Sequence, residues 1–185
     1  MGKMYLMSGL SAAGKTTFAK KFAKEHNLVY LGVDDFYEYY AAMNGIKSPW
    51  SDSHASFDVW IKYFYAIHTL EMEGKDVLID TNAPTIVKRL QFIDWFPTFD
   101  EHNLIYIMIN DVSLRIKNNK ARNRIVPRDE MVRMEREFQE PITRSPYAKQ
   151  KFFVRPAEMY KWDHVYVFEN IDNSLHEWQM DDGDY

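Results

Sequence analysis

The chain has 185 residues, a formal charge of −4 and no cysteine, which is room for one α/β domain with a core and excludes disulfides, thiol chemistry and cysteine-based zinc sites. An acidic balance also argues against a protein that coats nucleic acid over its whole surface. No apolar run approaches the roughly 18 residues of a membrane span, the longest lying within Leu104 to Ile109, and nothing at the N-terminus has a signal-peptide layout; the expected location is the cytoplasm, with no membrane contact.

Lys3 to Ser8 is a short apolar run stopped by Gly9, the pattern of a buried strand. Directly after it comes Gly9-Leu10-Ser11-Ala12-Ala13-Gly14-Lys15-Thr16-Thr17. Two glycines at this spacing let backbone N–H groups turn around an anion, and a helix opening there adds its unpaired N–H groups and positive end. Gly9, Ser11, Ala12, Ala13, Gly14, Lys15, Thr16 and Thr17 are therefore the expected nucleotide-binding residues, with Lys15 on the outer phosphates and the Thr16 hydroxyl on Mg²⁺. From Thr16 to His26, Phe18, Ala19, Phe22 and Ala23 recur at helical spacing.

Leu28 to Leu31 reads as a second strand, with Asp34-Asp35 at its tip and a helix beginning near Phe36. Residues 43–56 carry Asn-Gly, Ser-Pro and Ser-Asp-Ser and read as loop. Phe57 to Glu73 is a helix, Asp76 to Asp80 a third strand ending in Asp80-Thr81-Asn82, Pro84 to Phe96 a helix, and Leu104 to Asn110 a fourth strand. Val112 to Asn119 reads as helix, Arg128 to Gln139 as another, and Val165 to Phe168 as a fifth strand; the end, Met-Asp-Asp-Gly-Asp-Tyr, reads as a frayed acidic tail. Alternating strands and helices imply an α/β fold, a mostly parallel five-stranded sheet with helices on both faces.

A phosphate cradle does not distinguish a GTPase, a motor and a kinase. The fourth strand ends Ile109-Asn110-Asp111-Val112, not the Asn-Lys-x-Asp that reads guanine, and Val77-Leu78-Ile79-Asp80 is followed by Thr81 where motors carry a second acid. Three features favour transfer to a hydroxyl. Strand tips of a parallel sheet share one rim, so Asp34 is placed to accept a hydroxyl proton, with Asp35 as the helix cap; both capping the helix is the plainer alternative. Asp80, on the same rim, is placed to hold a metal-bound water, or simply to start a turn. Lys117, Lys120, Arg122, Arg124 and Arg128 form a basic stretch, interrupted by Asn118, Asn119 and Asn123 and ended by Ile125-Val126-Pro127. It reads as a hinged lid whose arginine offsets charge on the transferring group, or as a solvated helix face.

These residues resemble one family. Gly9-x4-Gly14-Lys15-Thr16, Asp34-Asp35, Val77-Leu78-Ile79-Asp80-Thr81-Asn82, Asn118-x5-Arg124-x-Val126-Pro127 and Arg133-Met134-x3-Phe138-x2-Pro141 are similar to the small P-loop kinases related to phage polynucleotide 5′-kinase and the kinase of seryl-tRNA. The resemblance implies a P-loop NTPase fold, ATP and Mg²⁺ as cofactors, Asp34 as general base and Arg122 or Arg124 as the lid arginine. It implies one kinase domain over residues 1–171, with a lid at about 115–128 and an acidic tail at 172–185, and a nucleic-acid 5′-OH as acceptor. The family commonly carries an arginine shortly after the aspartate pair; Asp34-Asp35-Phe36-Tyr37-Glu38-Tyr39-Tyr40 has none, and Asp-Asp-Phe-Tyr is also similar to metabolite kinases of the uridine-kinase type. Asp34, Asp35 and Tyr37 are the expected acceptor contacts, and Phe36, Tyr37, Tyr39, Tyr40 and Trp50 the aromatics on which a base would stack. A nucleoside or other small metabolite is the alternative acceptor, and an NTP-driven switch the alternative class.

Overall fold

The computed structural model describes residues 1–122, 124–144, 152–155, 157–158 and 160–178; Asn123 of the basic stretch and residues 179–185 of the acidic end lie outside them. Strand β1 (Lys3–Ser8) leads to helix α1 (Lys15–Glu25), β2 (Val29–Gly32), α2 (Val33–Asn44), a 3-10 turn (Pro49–Ser51), α3 (Ser53–Met72), β3 (Val77–Asp80), α4 (Ile86–Trp95), β4 (Glu101–Met108), α5 (Val112–Lys120), α6 (Arg128–Glu137), β5 (Ile142–Arg144), β6 (Phe152–Val154), β7 (His164–Ile171) and β8 (Ser174–Trp178).

The sheet has six strands in the order β2-β3-β1-β4-β7-β8. All neighbours are parallel except β7 and β8. β1 lies at the centre, and its alternation is that of a strand covered on both faces. Met4 and Leu6 pack with Val77, Ile79 and Leu104 under α3 and α4, through Val59, Tyr63, Ile67 and Phe92. Met7 packs on the opposite face with Leu78, Ile105 and Ile107 under α1, through Ala19 and Ala23.

Three expectations are corrected. The sheet has six strands, not five, because Asp172 and Asn173 at φ 51° and 63° form a two-residue turn and return the chain as β8, paired from Ile171↔Ser174 to Val167↔Trp178. Two left-handed central residues are what a hairpin turn of matching twist requires. Residues 174–178 are thus an edge strand and not tail. Second, α2 starts at Val33 with Gly32 as its cap and no side-chain cap bond, so Asp35 is not the cap but lies within the first turn. Third, the loop reading of 43–56 runs too far, since Asp52 caps α3 by accepting from the N–H groups of His54 and Ala55 at 2.8 and 3.1 Å.

A buried ion pair ties α4 to the segment after β6. Arg89 and Glu158 are both fully buried and share two bonds of 2.8 and 2.7 Å, while Arg89 also donates to the carbonyls of Ala83 and Pro84. Arg89→Met leaves an unpaired carboxylate in the core and is expected to cost about 3–5 kcal/mol in urea unfolding. Adding Glu158→Leu is expected to restore most of that loss.

Candidate active site

The carboxyl ends of the strands set the site. Gly32 is in register with Asp80, so the first turn of α2 starts beside the tip of β3, and β1 delivers the loop 9–14 alongside. These tips open into a cleft of about 1130 Å³, of the size that ligand sites take. Ser11, Ala12, Gly14, Lys15, Thr16, Thr17, Asp34, Tyr37, Asp80, Arg122 and Arg124 line it.

The loop has the backbone that its glycines permit. Gly9 and Gly14 have φ of 143° and 98°, and Ala12 shares the left-handed region at 63°. A Cβ on Gly9 would lie 2.4 Å from the Ile107 carbonyl oxygen on β4, an obstacle that cannot swing away. Gly9→Ala is expected to cost about 1–3 kcal/mol and to weaken nucleotide binding, read by urea unfolding and by titration with ATP. The outer wall of the loop is tied down at two carbonyls. Asn170 of β7 donates to Ala13 at 2.8 Å and Asn118 of α5 to Ala12 at 3.4 Å.

Lys15 folds back into the loop, its Nζ donating to the Gly9 and Leu10 carbonyls at 2.8 and 2.9 Å. Enclosure away from water brings its pKa down to about 8; Arg122 pushes the same way, and Asp80 and Asp34 oppose. No acid is within bonding distance of it among the described ion pairs, so an anion entering the loop meets a cation whose charge is not already compensated. Thr16 donates to Asp80 Oδ2 at 2.6 Å, and Tyr30 donates to the same oxygen at 3.1 Å. Burial raises the Asp80 pKa, opposed by the Thr16 hydrogen bond and by Lys15. Among the described residues no cluster of three His, Cys, Asp or Glu side chains is present. The donor set here, one hydroxyl and one carboxylate beside a phosphate loop, fits Mg²⁺, which binds through few protein oxygens with phosphates completing its shell.

Asp34 faces this group from α2. Its Oδ1 accepts from Arg124 at 3.2 Å and from the Trp50 indole N–H at 3.1 Å, and Arg122 lies 3.9 Å from Oδ2. Asp35 instead points away to Lys20 at 3.5 Å, half exposed, and does not line the cleft. Tyr37 is buried in the cleft wall with its hydroxyl on Ser56 at 3.0 Å. Phe36 packs edge-on against Tyr63, and Tyr39 is exposed, so the expected run of aromatics is divided between core and surface.

The asparagines of the basic stretch shape it. The Asn119 amide, buried, donates to the Val126 carbonyl at 2.8 Å and accepts from the Val126 N–H at 3.0 Å. This clamp closes the loop that carries Arg122 and Arg124 and sends both guanidiniums toward Asp34. Asn119, Asn170 and the Trp50 bond were not read as site features beforehand. Each depends on a partner that is distant in sequence or on a loop closure that no motif marks.

A family model described as AAA domain matches residues 4–141. No curated protein matches the chain. Among solved structures, a sugar kinase from Janibacter sp. is similar at 15% identity and TM-score 0.56, covering 91% of this chain and 86% of its own. A gluconokinase from Sinorhizobium meliloti is similar at 12% identity and TM-score 0.52, over 91% and 82%. A chain of the Pnkp1/Rnl/Hen1 RNA repair complex is similar at 16% identity and TM-score 0.60, over 74% of this chain and 43% of that one. At these identities the likeness is one of fold.

Proposed function

The chain belongs to the AAA domain family and has its P-loop NTPase fold, and from that premise we propose that it is an ATP-dependent kinase acting on a hydroxyl. The observation that carries this reading is Asp34, a partly exposed carboxylate held in the cleft shared by Lys15, Thr16 and Asp80 and reached by two arginines of the basic loop. A hydrolytic switch has little use for such a carboxylate; a hydroxyl acceptor needs one.

In this reading Lys15 and the loop amides hold the triphosphate, with Ser11, Ala12, Ala13, Gly14 and Thr17 forming the cradle around it. Thr16 and Asp80 hold Mg²⁺, which supplies charge neutralisation on the phosphates. Asp34 aims the acceptor hydroxyl and takes its proton as the oxygen bonds to the γ-phosphorus. The bond from that phosphorus to the β–γ bridging oxygen breaks, and ADP leaves. Arg122 and Arg124 offset the charge that spreads over the transferring group.

The leading acceptor is the 5′-OH end of a nucleic acid, supported by the Val126-Pro127…Arg133-Met134…Phe138…Pro141 pattern. A small hydroxylated metabolite is the second reading. It is favoured by the guanidinium that covers Trp50 where a base would stack. Incubation with γ-labelled ATP and Mg²⁺ tests these readings, using 5′-OH DNA and RNA oligonucleotides, a nucleoside and sugar panel, and no acceptor. Label on oligonucleotides is the expected result. Label on a small molecule selects the second reading, and free phosphate alone overturns the kinase.

A further inference from the structure

Trp50 stands on the 3-10 turn between α2 and α3 and makes contacts with both sides of the cleft. Its indole N–H donates to Asp34 Oδ1 at 3.1 Å. The Arg124 guanidinium lies over its ring at 4.0 Å from the centroid, a cation–π contact. The Tyr37 ring lies 5.9 Å away, tilted by 30°, and is itself fixed by its hydroxyl bond to Ser56. Pro49, buried, precedes it in the turn. A stiff aromatic side chain with only two torsions is thus held by its surroundings.

A carboxylate in the first turn of a helix turns freely about two torsions unless donors hold it. Here both firm donors, Trp50 and Arg124, go to Oδ1. Oδ2 faces Arg122 at 3.9 Å, beyond hydrogen-bond length. The two arginines are therefore not equivalent. Arg124 is bound to Asp34 and stacked on Trp50. Arg122 lines the same cleft as Lys15 with no hydrogen bond to Asp34, and its charge is felt at Lys15.

Resting on the kinase reading, we infer that Trp50 is a positioning residue: it orients Asp34 through its N–H, so that Oδ2 meets the acceptor hydroxyl, and it docks the basic loop by receiving Arg124 on its ring. Arg122 is then the arginine that serves the transferring phosphoryl group, and Arg124 serves Asp34. The connection 45–52 becomes part of the catalytic apparatus, and loop closure and base orientation are coupled through one side chain.

Trp50→Phe keeps a ring for Arg124 but removes the N–H; Trp50→Leu removes both. Backbone hydrogen exchange of Arg122, Arg124, Ile125 and Val126 in the nucleotide-free protein reads docking without needing an acceptor. Exchange is expected to rise about tenfold in Trp50→Leu and to change by less than about threefold in Trp50→Phe. Transfer to a 5′-OH RNA oligonucleotide, or to whichever panel member wild type labels, reads orientation. Both variants are expected to lose roughly tenfold or more in kcat with the KM for ATP within about twofold, at a temperature where melting curves show them folded. A residue that merely packs would lower the Tm and leave both readouts where they were, and that result overturns the inference. Unchanged loop exchange in Trp50→Leu overturns it by itself. A wild type that labels no acceptor defeats the kinase reading, and the exchange measurement then still decides whether Trp50 docks the loop.

Discussion

Asp34→Asn is expected to lower kcat by about 10²–10⁴, the usual contribution of a positioned base, while ATP binds as in wild type. The substitution is chosen for what it preserves. An asparagine oxygen still accepts from Trp50 and Arg124 at the Oδ1 position, so the loop stays docked and the shape of the cleft is kept. Only the charge and the capacity to take a proton are removed. Titration calorimetry with ATP reads the preserved half, and initial-rate transfer to the labelled acceptor reads the lost half. Normal transfer by Asp34→Asn would remove Asp34 from its role. Loss of ATP affinity along with transfer would mean that the variant had damaged the cradle, and that the rate says nothing about proton transfer.

Lys15→Met is expected to lower affinity for ATP by two orders of magnitude or more, since a buried-site charge pair with phosphate is lost together with its hydrogen bonds. Its pH behaviour is the sharper test. With the free-protein pKa brought down to about 8, the ammonium is partly neutral at mildly alkaline pH. A bound triphosphate favours the charged form, so binding takes up a proton there. Affinity of the wild type is expected to fall as pH rises through about 8, and that of Lys15→Met to be flat over the same range. Stability follows with the opposite sign. Between about 8 and the ordinary value of 10.5 the unfolded chain holds more protons than the folded one, so unfolding free energy contributed by this group increases with pH across that window. Below about 8 the enclosed charge is a standing penalty. The difference in Tm between Lys15→Met and wild type, both nucleotide-free, is therefore expected to favour the variant near neutrality and to shrink as pH rises toward 10.

The local parts of this site were legible because their causes are local. Gly9, Gly14 and Lys15 sit at a spacing that only a tight turn into a helix uses, and the strand before them is apolar at consecutive positions. The proximity of Asp34 to Asp80 followed from one topological rule, that parallel strand tips share a rim, and Gly32↔Asp80 is the register that realises it. What escaped is non-local. β8 was missed because Asp172-Asn173 turns the chain without a glycine, both residues adopting left-handed φ. Arg89 and Glu158 are 69 positions apart and look like ordinary surface charges in sequence. Asn118 and Asn119 read as interruptions in a charge run, although one amide holds the phosphate loop and the other closes the basic loop. Asp35 and Asp34 are chemically the same residue, and only the helix phase, set by Gly32 as cap, decides which of them enters the cleft.

The central position of β1 has a consequence for the order in which this chain acquires its shape. The first strand pairs with β3 and β4, so one edge of it is covered only when residues near 80 are present and the other only when residues near 108 are. The loop it carries waits longer: Asn170 reaches Ala13 across 157 positions. Contacts so distant form late and slowly. The phosphate loop, early in the order of elements, is thus among the last to be fastened, and the folding chain offers a nucleotide no finished seat until Asn170 of β7 has reached Ala13.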